Sequence, residues 1–186
     1  MSRRVAFGEI RRFGRDRRGA SAVEFALIAP VMLLIYFGLV EFCQGYMASR
    51  RASHTASIVA DLVAQSDATT TQDLTSIFAI GDMIMRPFPS TPLAIRVSSV
   101  TMDANGVARV DWSRGSKTTT LTARGKTSVV SDLPPGLIDR GESLILGETE
   151  FEYTSPFAQV IKTPIKFNRS YYLRPRTVER ITCANC

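Results

Sequence analysis

The sequence predicts an α+β fold in which one long N-terminal helix is followed by a small antiparallel β-sheet. Two observations support this plan. Residues 20–40 form an apolar run interrupted only by Glu24, and apolar side chains then recur at helical spacing to about Gln65. Residues 93–182 instead read as strands and turns, with a hairpin signal at Asn105-Gly106. The roughly 120 residues that follow the helix are enough to bury one core.

The apolar run is long enough to cross a bilayer. Its 21 residues, Ala20 to Val40, would rise about 31 Å as a helix, which matches the hydrocarbon core of a membrane. Arg17-Arg18 precede the run and Glu41 follows it. No later segment of the sequence is comparably long and apolar, so we expect a single-pass protein with a transmembrane helix over residues 20–41.

Charge predicts the orientation of this helix. Residues 1–19 contain seven arginines against two acidic residues, and so carry +5 of the chain's formal net charge of +6. By the positive-inside rule this basic leader stays in the cytoplasm, and the rest of the chain is delivered across the membrane. Downstream there is no basic stripe interleaved with aromatic residues, which argues against a nucleic-acid-binding surface.

Three kinds of N-terminal segment combine a basic leader with an apolar helix. A secretory signal peptide needs a short apolar core and a small-residue cleavage site, whereas this run is long and residues 41–49 offer only a weak site. A lipoprotein signal needs small residues before its cysteine, but Cys43 follows Glu41-Phe42. A prepilin is cut on the cytoplasmic side, after a glycine that precedes the helix. Gly19 before Ala20 fits this third kind.

Glu24 favours the prepilin interpretation. A carboxylate inside a membrane helix costs about 2.5–3.5 kcal/mol near the bilayer centre and less near the interface, so it needs a partner. Cleavage after Gly19 would create an α-amino group on Ala20 about one helical turn from Glu24, and the same group on a neighbouring subunit could also pair with it. The alternative is that Glu24 lies at headgroup level with Arg17 and Arg18 and has no further role.

The segment from Asp16 to Pro30, continued to Phe42, resembles the TadE/TadG-like proteins of the tight adherence (Tad, or Flp) type IV pilus machinery. The similarity combines the glycine, the spacing, the glutamate and the apolar helix. Weaker similarity follows in three later segments. These are Val110–Arg114, Glu150–Tyr153 and Tyr172–Arg176 with a cysteine nearby.

The resemblance implies a pilin-like fold and a role in pilus assembly. TadE-like members are pseudopilins cut by a dedicated prepilin peptidase, and TadG-like relatives are generally larger. Because this chain is far longer than a Flp major pilin, the resemblance implies a minor or accessory subunit needed for pilus assembly and surface adherence. The alternative is an uncleaved single-pass envelope scaffold or adhesin-like protein of the same machinery. The implied partners are the bacterial inner membrane, other pilus subunits, the Tad machinery and the prepilin peptidase.

Residues 42–92 are expected to be helical in two parts. Small and apolar side chains recur at helical spacing from Met47 to Gln65 while polar ones fall on another face, so the membrane helix should continue as an amphipathic extension. Its alanine-rich stripe suits close packing against a neighbouring helix or against the protein's own sheet. The pattern then breaks, and Asp67 or a threonine could cap a second helix near Gln72–Met85.

Residues 93–186 are expected to form a β-rich periplasmic domain. Leu93–Met102 and Val107–Trp112 flank the Asn-Gly turn, and a shift in apolar parity within the strands predicts a bulge. Residues 145–153 alternate between apolar side chains and glutamates, which predicts a half-exposed strand with an acidic outer face. A last strand could lie over Arg169–Arg174. The glutamates are Glu148, Glu150 and Glu152.

The sequence lacks the patterns of common catalytic sites, such as a nucleophile elbow or a phosphate-binding glycine loop. The single histidine, His54, could meet Ser53 or Ser57 and Asp61, but these are neighbours on a polar helix face that is typical of solvated surface. The glutamates of residues 148–152 could bind a cation, although such a run is more often a solvated or partner-facing edge. We expect no enzyme, no cofactor and no metal site.

Three cysteines are present: Cys43, Cys183 and Cys186. Cys183 and Cys186 lie near the C-terminus in what should be an oxidising compartment, so a disulfide within the chain or to another subunit is expected. A lone C-x-x-C is a weak zinc signal without a second ligand pair. Cys43 is expected to be a small apolar residue of the helix.

Overall fold

The computed structural model describes residues 19–186. Helix α1 spans Ala20–Ala64 and helix α2 spans Thr71–Ile84. Residues 1–18, which hold the arginines that predicted the orientation, lie outside the described residues. The strands within the described part are β1 (Ala68–Thr69), β2 (Leu93–Met102), β3 (Ala108–Gly115), β4 (Ser143–Tyr153), β5 (Ile165–Leu173) and β6 (Thr182–Cys183).

Four of these strands form one antiparallel sheet in the order β3-β2-β4-β5. The short strands β1 and β6 pair in parallel as a separate ribbon, which ties the C-terminal segment to the start of α2. A long N-terminal helix followed by a small antiparallel sheet confirms the predicted α+β fold class.

The hairpin between β2 and β3 forms where the sequence predicted it. Gly106 has a φ of +79°, a conformation that glycine adopts without strain. The Asp103 carboxylate accepts hydrogen bonds from two backbone N–H groups of the turn, at 2.8 and 2.9 Å. The pairing register shifts between Ser99 and Val100, which confirms the expected bulge.

Helix α2 begins with a capping box. The Thr70 hydroxyl accepts a hydrogen bond from the backbone N–H of Asp73, whose carboxylate in turn accepts one from the backbone N–H of Thr70. Of the two kinds of cap that the sequence allowed, the threonine is the one used. The Asn185 side chain accepts a hydrogen bond from the next free N–H, that of Thr71, at 3.0 Å.

The C-terminal half of α1 packs on one face of the sheet through small side chains. Gly147 of β4 permits a close approach, because a Cβ added there would lie 2.7 Å from the carbonyl oxygen of Ala56 and 2.8 Å from the Cβ of Ala60. The Thr149 hydroxyl donates a hydrogen bond to the Ala52 carbonyl at 3.0 Å. The alanine stripe therefore covers the protein's own sheet, one of the two surfaces that the sequence left open.

The other face of the sheet is covered by the long β3–β4 connection, residues 116–142. Val130 and Ile138 of this connection form a second small core with strand residues such as Val110 and Leu146. Most of the connection has no regular secondary structure. Strand β4 is consequently buried on both faces for most of its length.

The expectation of a half-exposed β4 with an acidic outer face is therefore wrong. Glu148 is buried, and its carboxylate accepts hydrogen bonds from the Arg96 guanidinium at 2.7 Å and from that of Arg124 at 2.9 Å. Glu150 and Glu152 are partly exposed, and each lies 3.9 Å from the ammonium group of Lys166. The period-two pattern was right, but the arginines and the β3–β4 connection that cover this face come from distant parts of the sequence.

Candidate functional site: the membrane helix and its junction with the domain

The N-terminal half of α1 projects from the domain as an apolar rod. No residue from Ala20 to Val40 is buried, and Phe25 and Leu27 are more than 70% exposed, at 73% and 71%. Within the described residues, α1 is the helix long and apolar enough to cross a membrane. So large an apolar surface marks contact with lipid or with other apolar helices rather than with water.

Gly19 stands immediately before α1, at the predicted processing site. Its φ of −80° and ψ of −17° are open to any residue. A Cβ built on it would meet no atom within 4 Å. The fold of the described residues therefore imposes no need for glycine here, and any such need would come from a molecule that binds this segment. Ala20, on the other side of the predicted cut, is the first residue of α1.

Glu24 is exposed on the first turns of α1, one helical turn from Ala20. Among residues 19–186, no basic side chain forms an ion pair with its carboxylate. The structure places Glu24 on the apolar rod and far from the folded domain. The pairing of Glu24 with a terminal amine, and the alternative that it lies at headgroup level with Arg17 and Arg18, both stay predictions.

Glu41 marks the junction between the apolar rod and the domain. Its side chain is fully buried, and its carboxylate accepts three hydrogen bonds from consecutive backbone N–H groups. The donors are Gln159 at 2.7 Å, Val160 at 3.0 Å and Ile161 at 2.7 Å. All three belong to the connection between β4 and β5, residues 154–164, which we call the β4–β5 loop. A single carboxylate thus fastens this loop to α1.

We call the Glu41 carboxylate and its three backbone donors the Glu41 clasp. Aromatic and apolar contacts surround it. The Phe157 ring lies 5.5 Å from that of Phe37, centroid to centroid, and a Cβ added to Gly38 would lie 3.3 Å from Val160. One turn beyond Glu41, the Tyr153 ring packs over Gly45. Burial raises the pKa of the Tyr153 phenol, because desolvation disfavours the phenolate. The loop therefore closes over the last turn of the apolar run.

In the sequence, Glu41 marks the boundary of the apolar run, and no local pattern indicates its buried partners. Its partners lie 118–120 residues further along the chain, in a loop without helical or strand periodicity. The available signal was chemical: a lone carboxylate at the end of a membrane segment, which needs donors if it is buried.

Cys183 and Cys186 are joined by a disulfide in the structure, with their Cα atoms 5.7 Å apart. The segment that carries them is tied down by the β1–β6 pairing, and the Trp112 indole N–H donates to the carbonyl of Ile181 at 2.8 Å. Cys43 is exposed on α1 and takes no part in a disulfide.

Two carboxylates near the polar residues considered for catalysis, Asp61 and Asp111, take part in hydrogen bonds and ion pairs within the domain. His54 is exposed, and the Asp61 carboxylate, seven residues further along α1, accepts hydrogen bonds from Gln65 and Arg176. An open cleft of about 480 Å³ beside the C-terminal segment is lined by Asp111. That carboxylate accepts hydrogen bonds from two hydroxyl groups of β2 and lies 3.6 Å from the Arg180 guanidinium.

Comparison with known proteins finds a similarity that covers the apolar part of α1 and its junction with the domain. Residues 19–61 match the family model described as TadE-like protein. The predicted resemblance is thereby confirmed over this segment, which holds the apolar rod, Glu24 and Glu41. The TadE-like segment associates the chain with Tad pilus systems and with a membrane.

The sheet lies outside the TadE-like segment. Residues 62–186 are not part of the match, so the weaker similarities at Val110–Arg114, Glu150–Tyr153 and Tyr172–Arg176 stay predictions. No curated protein and no solved structure matches the chain.

Proposed function

We propose that the chain is a minor pilin or pseudopilin, a structural or accessory subunit needed for Tad/Flp pilus assembly and surface adherence. The observation that carries the proposal is the TadE-like helix: an exposed apolar rod of about 30 Å that continues, without a break, into the core of a folded domain. A helix of this kind can rest in a bilayer before assembly and pack among the helices of other subunits afterwards.

The topology proposed with it places the basic leader in the cytoplasm, α1 in the bacterial inner membrane and the sheet domain in the periplasm. The arginines of residues 1–19 support this orientation. The disulfide between Cys183 and Cys186 fits an oxidising compartment. The partners proposed are the other pilus subunits, the Tad machinery and the prepilin peptidase.

The test of assembly is a strain that lacks the protein. Electron microscopy should show the loss of Tad pili, and surface attachment should fall with it. Restoring the full chain should restore both. Normal pili and normal attachment in the deletion strain would contradict the proposal.

We predict cleavage of the peptide bond between Gly19 and Ala20. The intact mass of the membrane-extracted protein, from cells that contain the pilus peptidase, should correspond to a chain that begins at Ala20. Gly19→Val should block the cut, because the enzyme must approach the backbone closely. Since Gly19 has an ordinary φ and no close neighbours, the substitution should leave the fold intact.

Gly14→Val is the matched control, because it makes the same change in the leader away from the predicted cut. It should leave processing unchanged. A chain that keeps residues 1–19 in the presence of the peptidase would contradict processing. It would favour the uncleaved envelope scaffold or adhesin-like protein instead.

A further inference from the structure

The β4–β5 loop reaches back to the part of α1 that lies within the apolar run. Phe157 and Val160 contact Phe37 and Gly38, which stand three and two residues before Val40, the last residue of the run. At about 1.5 Å per residue, these contacts lie roughly 3–5 Å inside the end of the apolar rod. The loop therefore stands at the depth where a bilayer that surrounds the rod would pass into its headgroup layer.

The loop presents apolar side chains to its surroundings at this depth. Phe157 is 46% exposed and Val160 is 57% exposed. The loop contains no acidic residue, and its one charged side chain is Lys162, which is exposed and directly follows the apolar residues. A lysine beside apolar groups can extend its ammonium group to lipid phosphates while its stem stays among the acyl chains.

The Glu41 clasp satisfies backbone N–H groups of a loop that lies near hydrocarbon. Backbone N–H groups that face lipid without partners cost several kcal/mol each. Here the N–H groups of Gln159, Val160 and Ile161 point inward to one carboxylate, so these three donors are satisfied within the protein and do not face lipid. This arrangement explains why Glu41 is buried at the end of the apolar run.

We propose that the β4–β5 loop is a second membrane contact, in which Phe157, Val160 and Lys162 enter the interfacial layer of the leaflet from which the domain emerges. The partner is the lipid surface. The contact fixes the height of the domain above the bilayer. The proposal requires α1 to cross a bilayer, but it does not depend on leader cleavage or on a role in the pilus.

The test uses the full chain in vesicles of phosphatidylethanolamine and phosphatidylglycerol, with an environment-sensitive fluorophore attached to one thiol before reconstitution. Val160→Cys in a Cys43→Ser background reports on the loop. Native Cys43, exposed on α1 just past the apolar run, gives the depth of the membrane surface. Ala104→Cys, in the same background and on the exposed hairpin turn, is the control away from the membrane.

Lipids that carry a quencher in the upper acyl chain should quench the probe at 160 several-fold more than the probe at 104, and about as much as the probe at 43. A water-soluble quencher should give the reverse order. Phe157→Cys, at another exposed position of the loop, should behave like Val160→Cys. Circular dichroism of each labelled chain confirms that the domain is folded.

Two results would overturn the proposal. A probe at 160 that water-soluble quencher reaches as readily as the probe at 104 would show that the loop stands in water. A probe that neither quencher reaches would show that protein, such as a second copy of the chain, covers the loop. Either result would leave processing and piliation to be judged by their own experiments.

Discussion

Gly147 sets the distance between α1 and the sheet. It faces Ala56 and Ala60, and the hydrogen bond from Thr149 to the Ala52 carbonyl follows directly beside it. Both its φ and its strand position are compatible with other residues, so the glycine is there for space rather than for backbone conformation. The alanines of α1 and this glycine form one close contact between helix and sheet.

We expect Gly147→Ala to destabilise the domain by about 1–3 kcal/mol, because the added methyl group would force α1 away from β4. Thermal unfolding of the full chain in detergent, followed by circular dichroism, should show a lower Tm. Gly125→Ala is the control, since Gly125 is exposed and a Cβ there would meet no atom within 4 Å. Equal Tm values for the two variants would show that the helix–sheet contact is not close at Gly147.

The alanine stripe of α1 was predictable from the sequence, but the contacts of Gly147 and Glu41 were not. A periodic pattern identifies which face of a helix is small or apolar, because the pattern depends on neighbours along the chain. The contact partners of both residues lie far away in sequence: α1 for Gly147, and the β4–β5 loop for Glu41. Single residues that act through such distant contacts leave no local signal.

At the scale of elements, the helices, the β2–β3 hairpin and its bulge were predictable, because caps, an Asn-Gly turn and shifts in parity are local chemistry. The covered outer face of β4 was not. It is covered by residues 116–142, which are mostly irregular and have no periodicity to recognise. A strand that alternates apolar and charged residues is half-exposed only if nothing packs on its polar side, and here Arg96 and Arg124 do.

The Asp103 carboxylate stabilises the β2–β3 hairpin through its charge. Hydrogen bonds from the backbone N–H of Val107 and from the Arg109 guanidinium hold its pKa below the ordinary value. A depressed pKa means that the stabilisation is present above the unfolded pKa of about 3.9 and is lost as the pH falls through the folded value. Asp103→Asn should lower Tm by a few degrees at neutral pH, and the difference from wild type should shrink in acid.

Thermal unfolding measured from neutral pH to below about pH 4 checks this prediction. Asp67→Asn, at an exposed carboxylate just after α1, is the control and should change Tm little at any pH. Equal Tm values for wild type and Asp103→Asn at neutral pH would show that the side chain acts through its shape and acceptor oxygen, which asparagine also supplies, rather than through its charge.

The C-terminal segment leads to a prediction about the thiols. The Cα atoms of Cys183 and Cys186 lie 5.7 Å apart, which suits a disulfide. The β1–β6 pairing and the hydrogen bond from the Thr71 N–H to the Asn185 side chain hold the segment against its own domain. We expect the bond to form within the chain. Alkylation under denaturing conditions without reductant should add one label per chain, at Cys43.

Non-reducing electrophoresis completes this test. A monomer is expected, and its mobility should be the same for the Cys43→Ser variant. A dimer that disappears on reduction and persists in the Cys43→Ser variant would show that Cys183 and Cys186 pair between subunits instead. Three labels per chain would show that Cys183 and Cys186 are reduced in the envelope.

At the scale of the whole molecule, two parts of one helix have opposite surroundings. From Ala20 to Val40 no residue of the helix is buried, and from Glu41 onward one face of the helix packs in the folded core. The Glu41 clasp and the β4–β5 loop lie at the boundary between these two parts of α1. Because α1 is continuous across this point, a force or displacement applied to the apolar rod passes directly to the domain.

Glu24 is the charged group on the rod that this arrangement leaves for contacts with other molecules. If it pairs with a terminal amine when subunits assemble, Glu24→Ala should leave membrane insertion and cleavage largely intact, because the rod becomes more apolar. Assembly should fail instead. Ser21→Ala, which removes a smaller polar group one turn before Glu24, is the matched control and should assemble normally. Cell fractionation, intact mass and electron microscopy of pili measure the three steps separately, and normal piliation with Glu24→Ala would reject the pairing.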